Sequence, residues 1–241
     1  MPQPEPATTP AAADRGCDAP LVWRSGYQFA GRLEPPPGAL PQDETPLFAA
    51  DRVFAAQHGG LITRAFVSTL PQDPAVPVVI DSSLVWLVPG LAHGFELPSG
   101  GRQAHGRSPL RFAHEPFPGA RQGVRAAANR NRAATYRWCV LGLDCTTEFA
   151  VGEVVCADAA EAMAFWLPDD DTGAREAGIA RRLAVGELGL RPLACGDIAA
   201  FGWGCLRRVR PAAASGFQLI LRASIDDPRP VVNGRRNLAM L

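Results

Sequence analysis

Apolar residues in this chain gather in short runs cut by Gly, Pro and Asp, several with period-two alternation. That is the pattern of β-strands joined by turns. It is clearest near the C-terminus. Residues 198–201 follow the turn pair Gly196-Asp197, a second strand ends at Pro211, and residues 217–224 form a third. In that third strand Gln218 and Arg222, four apart, share one face. Gly-Asp, Gly-Trp-Gly and Pro-Ala-Ala-Ala-Ser-Gly separate the runs, so they read as consecutive strands with tight connections. Upstream, residues 135–141 alternate Tyr136, Trp138 and Val140 against Arg137, Cys139 and Leu141, as a strand of a barrel core does. Residues 76–88 read as strand, turn, strand. Leu21-Val22-Trp23 and Tyr27-Gln28-Phe29 are the first short strands.

Helical spacing is rarer. Residues 47–57 place Leu47, Val53 and Phe54 on one face and stop at Gly59-Gly60, with His58 at the dipole-favoured C-terminal end rather than in a ligand role. Residues 174–185 point Ile179, Ala180 and Leu183 inward and Arg175, Glu176, Arg181 and Arg182 outward. A third helix over residues 159–167 starts at Asp158, with Glu161 at its third position. Residues 98–133 are Arg- and Gly-rich and hold His105 and His114. A stretch this long without periodicity is a lid, a binding loop or disordered. The Pro-, Ala- and Thr-rich residues 1–19 are expected to be a disordered tail, and residues 20–241 one domain.

Composition narrows the function classes. All 24 basic residues are Arg and they balance 24 acidic ones, so no overall field favours nucleic acid or a membrane surface. No apolar run is long enough to span a bilayer, and the N-terminus lacks a signal-peptide pattern. The six cysteines include no C-x-x-C pair and read as buried, reduced packing in a cytoplasmic protein.

The C-terminal run, with Gly196-Asp197 leading into Ile198–Ala199–Ala200–Phe201, then Leu206-Arg207-Arg208 before Pro211-Ala212, then Gly216-Phe217-Gln218 to Arg222-Ala223-Ser224, resembles the segment that closes the double-stranded β-helix of Fe(II)/2-oxoglutarate dioxygenases. Cys145-Thr146-Thr147-Glu148-Phe149 and Leu87-Val88-Pro89-Gly90 resemble further steps of that family. The resemblance spans roughly residues 76–238 and implies a double-stranded β-helix, or jelly roll: mainly β with supporting helices. It also implies an iron triad and a basic residue for 2-oxoglutarate, and here the residues depart from it. Arg207 stands at the position of the distal His, and Gln218 at that of the first of two basic residues, leaving Arg222. No His-x-Asp or His-x-Glu occurs in the chain. The first ligand pair would fall near Gly101 and Gln103, or on Asn129-Arg130-Asn131.

A guanidinium cannot ligate iron, and its charge repels a dication. No metal site is therefore expected. If Arg207 points inward it needs an anion, which Arg222 could help clamp. The alternatives are that Arg208 or Leu206 points inward instead, or that Glu148 or Glu153 neutralises Arg207 internally. Trp86, Tyr136 and Trp138 are candidate lining residues beside core packing. The expected function is binding of a small anionic molecule. It takes the form of a metal-independent biosynthetic enzyme (isomerase, cyclase or lyase) or a pseudoenzyme. His105, Glu148 and Arg207 are the catalytic candidates, and Arg222, Gln218, Trp86, Tyr136, Trp138 and His93 the binding ones. Two alternatives stand beside it. One is an Fe(II)/2-oxoglutarate hydroxylase with relocated ligands such as His93, His105 and Glu96. The other is a non-catalytic partner subunit, as a homo- or hetero-oligomer.

Overall fold

A computed structural model describes residues 21–95, 103–106, 134–143, 147–156, 172–202, 204–226, 230–236 and 239–240. The expected tail, the helix over residues 159–167, and most of residues 98–133 lie outside these.

Fourteen strands are described: β1 Leu21–Ser25, β2 Gln28–Arg32, β3 Leu47–Phe48, β4 Val78–Leu87, β5 Ala92–Phe95, β6 Gln103–Gly106, β7 Thr135–Gly142, β8 Thr147–Cys156, β9 Leu188–Pro192, β10 Asp197–Gly202, β11 Arg207–Val209, β12 Gly216–Ile225, β13 Gly234–Arg235 and β14 Ala239–Met240. The helices are α1 Arg52–His58, α2 Leu61–Ser68 and α3 Thr172–Ala184. A six-stranded sheet runs β14-β4-β12-β7-β10-β2, antiparallel except where β14 joins β4. In a second antiparallel sheet β8 is central. β9 lies along one side of it, and β1 and β11 lie end to end along the other. Ser25 closes the gap between β1 and β11: its hydroxyl donates to the Ala150 carbonyl at 2.6 Å and accepts from the Leu206 amide at 3.0 Å.

Alternation sorts each strand into two faces. Tyr136, Trp138, Val140, Phe201 and Ile220 from the large sheet meet Phe149 from the second between the sheets. The opposite parity (Cys139 and Leu141 of β7; Leu219, Leu221 and Ala223 of β12) packs on Ile62, Phe66 and Val67 of α2. On the far side, Ala150, Val154 and Leu188 of the second sheet cover Ile179 of α3. The architecture is mainly β, antiparallel and jelly-roll-like, with few helices. β10, β11 and β12 are not neighbours. They alternate between the two sheets, so these consecutive strands each find a ladder partner far away in sequence.

Other expectations change in detail. Within residues 76–88 there is one unbroken strand, Val78–Leu87, and not two, because Asp81, Ser82 and Ser83 keep the ladder with β12 through Arg222, Leu221 and Ile220. Leu47 belongs to β3, not to a helix, and Val53 is 65% exposed while Ala55 is buried. Ala180 of α3 is exposed, and Arg182 turns in to pair with Glu187. His58 accepts from Arg235 through Nδ1 at 2.8 Å and packs on Phe54; it is held by a neighbour as well as by the helix end. Cys139, Cys156 and Cys205 are buried, while Cys195 is half-buried.

Two carboxylates start the helices. Asp51 caps α1 by accepting from the Phe54 amide at 2.7 Å, and it exchanges two hydrogen bonds with Asn233 at 2.9 and 3.0 Å. Burial pushes the Asp51 carboxyl up, but the Phe54 amide, the Asn233 amide and the Val53 amide outweigh it and hold the group below the usual carboxylate range. A carboxyl with a lowered folded-state pKa contributes stability above its unfolded value, near 3.9, and loses it as pH falls through the folded value. Asp51→Ala is therefore expected to cost about 1–2 kcal/mol at neutral pH. Urea melts of both proteins should converge as pH is lowered below about 4; a gap constant with pH would rule the charged cap out.

α2 is capped from a distance. Glu44 accepts from the amides of Gly60 (3.1 Å), Ile62 (2.7 Å) and Thr63 (3.0 Å) and from the Thr63 hydroxyl at 2.5 Å. A side chain on Gly60 would collide with that carboxylate.

Candidate functional site

Polar residues from both sheets line the space between them. On β12 the face carrying Ile220 into the aromatic core also carries Gln218, Arg222 and Ser224, all buried. The ladder with β4 places Asp81 opposite Arg222 and Ser83 opposite Ile220. Cross-strand partners share a face, so Asp81 and Ser83 look into the same space. Arg222 approaches Asp81 at 3.9 Å and Ser224 at 3.4 Å. Asp81 also accepts from the Ala49 amide at 3.0 Å and from Arg236 at 3.4 Å.

The second sheet supplies the opposing wall. Arg207 lies opposite Phe149 in the ladder and so faces inward, 3% exposed. Its guanidinium stands 4.4 Å from the Trp138 ring centroid and 5.3 Å from that of Phe201, a cation held over aromatic faces. The Trp138 indole N–H donates to the Thr147 hydroxyl at 3.2 Å, which fixes the ring beneath it. Trp138 is also the ladder partner of Arg222. One arginine from each sheet therefore flanks a single indole.

His93 enters from β5, which packs against both β4 and β11. It is fully buried, and its Nε2 lies 2.8 Å from the Ser83 hydroxyl. In the β5–β6 hairpin its backbone stands opposite that of His105; the His105 side chain and Glu96 lie outside the described residues.

The sequence-based candidates thus separate. Arg207, Arg222, Gln218, Trp138, Tyr136 and His93 share the inter-sheet space, with Tyr136 stacked on Phe201 as part of its aromatic floor. Glu148 does not join them. It lies on the opposite face of β8, where it pairs with Arg208 at 3.0 Å and Arg210 at 3.1 Å. It therefore does not neutralise Arg207, and Glu153 is occupied by Arg24 at the surface. Trp86 also points away: it is half-buried on the helix-bearing face against Phe217. Ser83, Asp81 and Thr147 were not picked out from the sequence. The available signal was the spacing of Val79, Asp81, Ser83 and Val85, which share one parity within a strand.

Among the described residues no group of three or more His, Cys, Asp or Glu side chains is placed to hold a metal ion.

A mainly-β, jelly-roll-like protein with a buried Arg–aromatic–His cluster is the class these features define. Neither a protein-family model nor a curated protein sequence matches the chain. A solved structure, AviO1 from Streptomyces viridochromogenes Tue57, aligns over 87% of this chain and 94% of its own at 11% identity and a TM-score of 0.38, too low to carry an argument about fold or chemistry. No described helix is long and apolar enough to cross a membrane.

Proposed function

We propose that this chain binds a small anionic molecule between its sheets and acts on it by metal-independent acid–base chemistry, as an isomerase, cyclase or lyase in a biosynthetic setting. One observation carries the reading: Arg207 and Arg222, one from each sheet, are both buried beside Trp138, Arg207 with its guanidinium over the indole and Arg222 on the neighbouring strand, 3.9 Å from Asp81. Guanidinium forks suit carboxylate and phosphate, and an aromatic face between them suits a flat or unsaturated body. His93 is the titratable side chain poised beside that space to move a proton. The hydroxylase alternative draws on the same hairpin, where His93 and His105 stand opposite each other.

The test is a thermal-shift panel of mono- and dicarboxylates and phosphate esters, each run with and without Mn(II). A saturating ligand at about 100 times its Kd should add about 2.7 kcal/mol, hence roughly 5–10 °C in Tm for a chain of this size. The shift should vanish in the double variant Arg207→Lys/Arg222→Lys, where charge is kept but the forks are lost. A panel without any shift, or a shift the double variant retains, would overturn the reading. A shift that needs Mn(II) would favour the hydroxylase alternative.

A further inference from the structure

The anion reading uses His93 to move a proton but gives no role to Ser83, its hydrogen-bond partner. We infer that the two form a nucleophile–base pair and that the site performs acyl transfer through Ser83. The inference rests on the reading above that the inter-sheet space is a ligand site, and it assigns that site acyl transfer to water in place of isomerase, cyclase or lyase chemistry.

Three placements carry the argument. The Ser83 hydroxyl lies 2.8 Å from Nε2 of His93, with both residues fully buried; a hydroxyl within hydrogen-bond reach of an imidazole is the arrangement that makes serine nucleophilic. The two residues come from consecutive strands, β4 and β5, that belong to different sheets. Finally, Ser83 faces Ile220, and the same face of β12 carries Gln218 on one side and Arg222 on the other. Such diagonal neighbours lie about 7–8 Å away along the ladder. Arg222 is placed to hold an anionic group a few bonds from the reacting carbonyl. Asp81, two residues before Ser83 on the same face, is not the third member of a triad: its carboxylate is engaged by the Ala49 amide and Arg236. The class of substrate is therefore an ester or thioester of a small acid carrying a second anionic group.

The step balances without a cofactor. The Ser83 oxygen bonds to the acyl carbon while its proton passes to His93 Nε2. The alcohol or thiol leaves with that proton, and the acyl group remains on Ser83. Water then attacks, giving its proton to Nε2. The C–O bond to serine breaks, and the serine oxygen takes the proton back, releasing the acid.

The test needs no knowledge of the natural substrate. The full chain is incubated with an alkyl fluorophosphonate and analysed by intact mass and peptide mapping. One adduct on Ser83 is expected in wild type and none on that peptide in Ser83→Ala. In His93→Gln the labelling rate is expected to fall about 100-fold, with near-UV circular dichroism confirming the native fold. Absence of an adduct on Ser83 in wild type overturns the inference, as does labelling that His93→Gln leaves unchanged. Arg24→Lys, at the surface beside Glu153 and away from the site, should still be labelled. An adduct without anion-induced stabilisation would keep the nucleophile and remove the anion site. Stabilisation without an adduct would do the reverse.

Discussion

Replacing Asp81 by alanine is expected to be among the most damaging single changes in the chain, at about 3–5 kcal/mol. The carboxylate is 2% exposed and faces two cations, Arg222 at 3.9 Å and Arg236 at 3.4 Å, while accepting from the Ala49 amide at 3.0 Å. Its removal takes the counter-charge from Arg222, itself 2% exposed, and strands a buried backbone donor. Asp81→Asn restores an acceptor for Ala49 but no charge, so it should recover only part of the loss. Asp81→Leu combined with Arg222→Met removes both members of the pair and should be milder than Asp81→Ala alone, because the dominant cost is an uncompensated charge and not a lost contact. Urea titrations at constant m value give the comparison. If Asp81→Ala costs under about 1 kcal/mol, the pair is not holding β4 to β12.

Glu44→Ala is expected to cost about 2–4 kcal/mol through a different mechanism. Four donors converge on this buried carboxylate, three of them backbone amides at the start of α2. The first amides of a helix have no partner within it, and here the side chain that satisfies them arrives from another element. Alanine leaves them buried and unmet, which costs more than an exposed cap does. Glu44→Gln turns an amide N–H toward donors and should restore less than half. Loss of α2 also uncovers the helix-bearing face of the large sheet. The same variant should therefore speed hydrogen exchange at Ile62, Phe66 and Val67, and unchanged exchange there would count against the capping account.

These two residues illustrate what was and was not legible. Glu44 is 16 residues before Gly60, far outside the three-residue spacing by which a capping carboxylate is recognised, so the start of α2 carried no local signal. Asp81-Ser82-Ser83 has the composition of a turn, yet it continues a strand, because β12 on one side and the Leu47 and Ala49 amides nearby satisfy its polar groups. Glu148 and Arg207 sit in adjacent strands and were candidates for the same ion pair. Their ladder offset is one residue, Arg207 facing Phe149 and Arg208 facing Glu148, and in a strand one residue is the difference between interior and exterior.

By itself, the sequence determined the class of structure and much of the strand inventory. Alternation in residues 135–141, apolar runs between Gly and Pro, and the shared face of Gln218 and Arg222 are local properties of an extended chain, with a period set by backbone geometry. Tertiary structure alone decided the rest: that β10, β11 and β12 alternate between sheets, that Arg207 lies over Trp138 while Glu148 turns outward, and that Ser83 meets His93. Contacts between strands far apart in sequence depend on register and layer order. Those are settled by burying one continuous face of each sheet against the other, not by any residue's own preference.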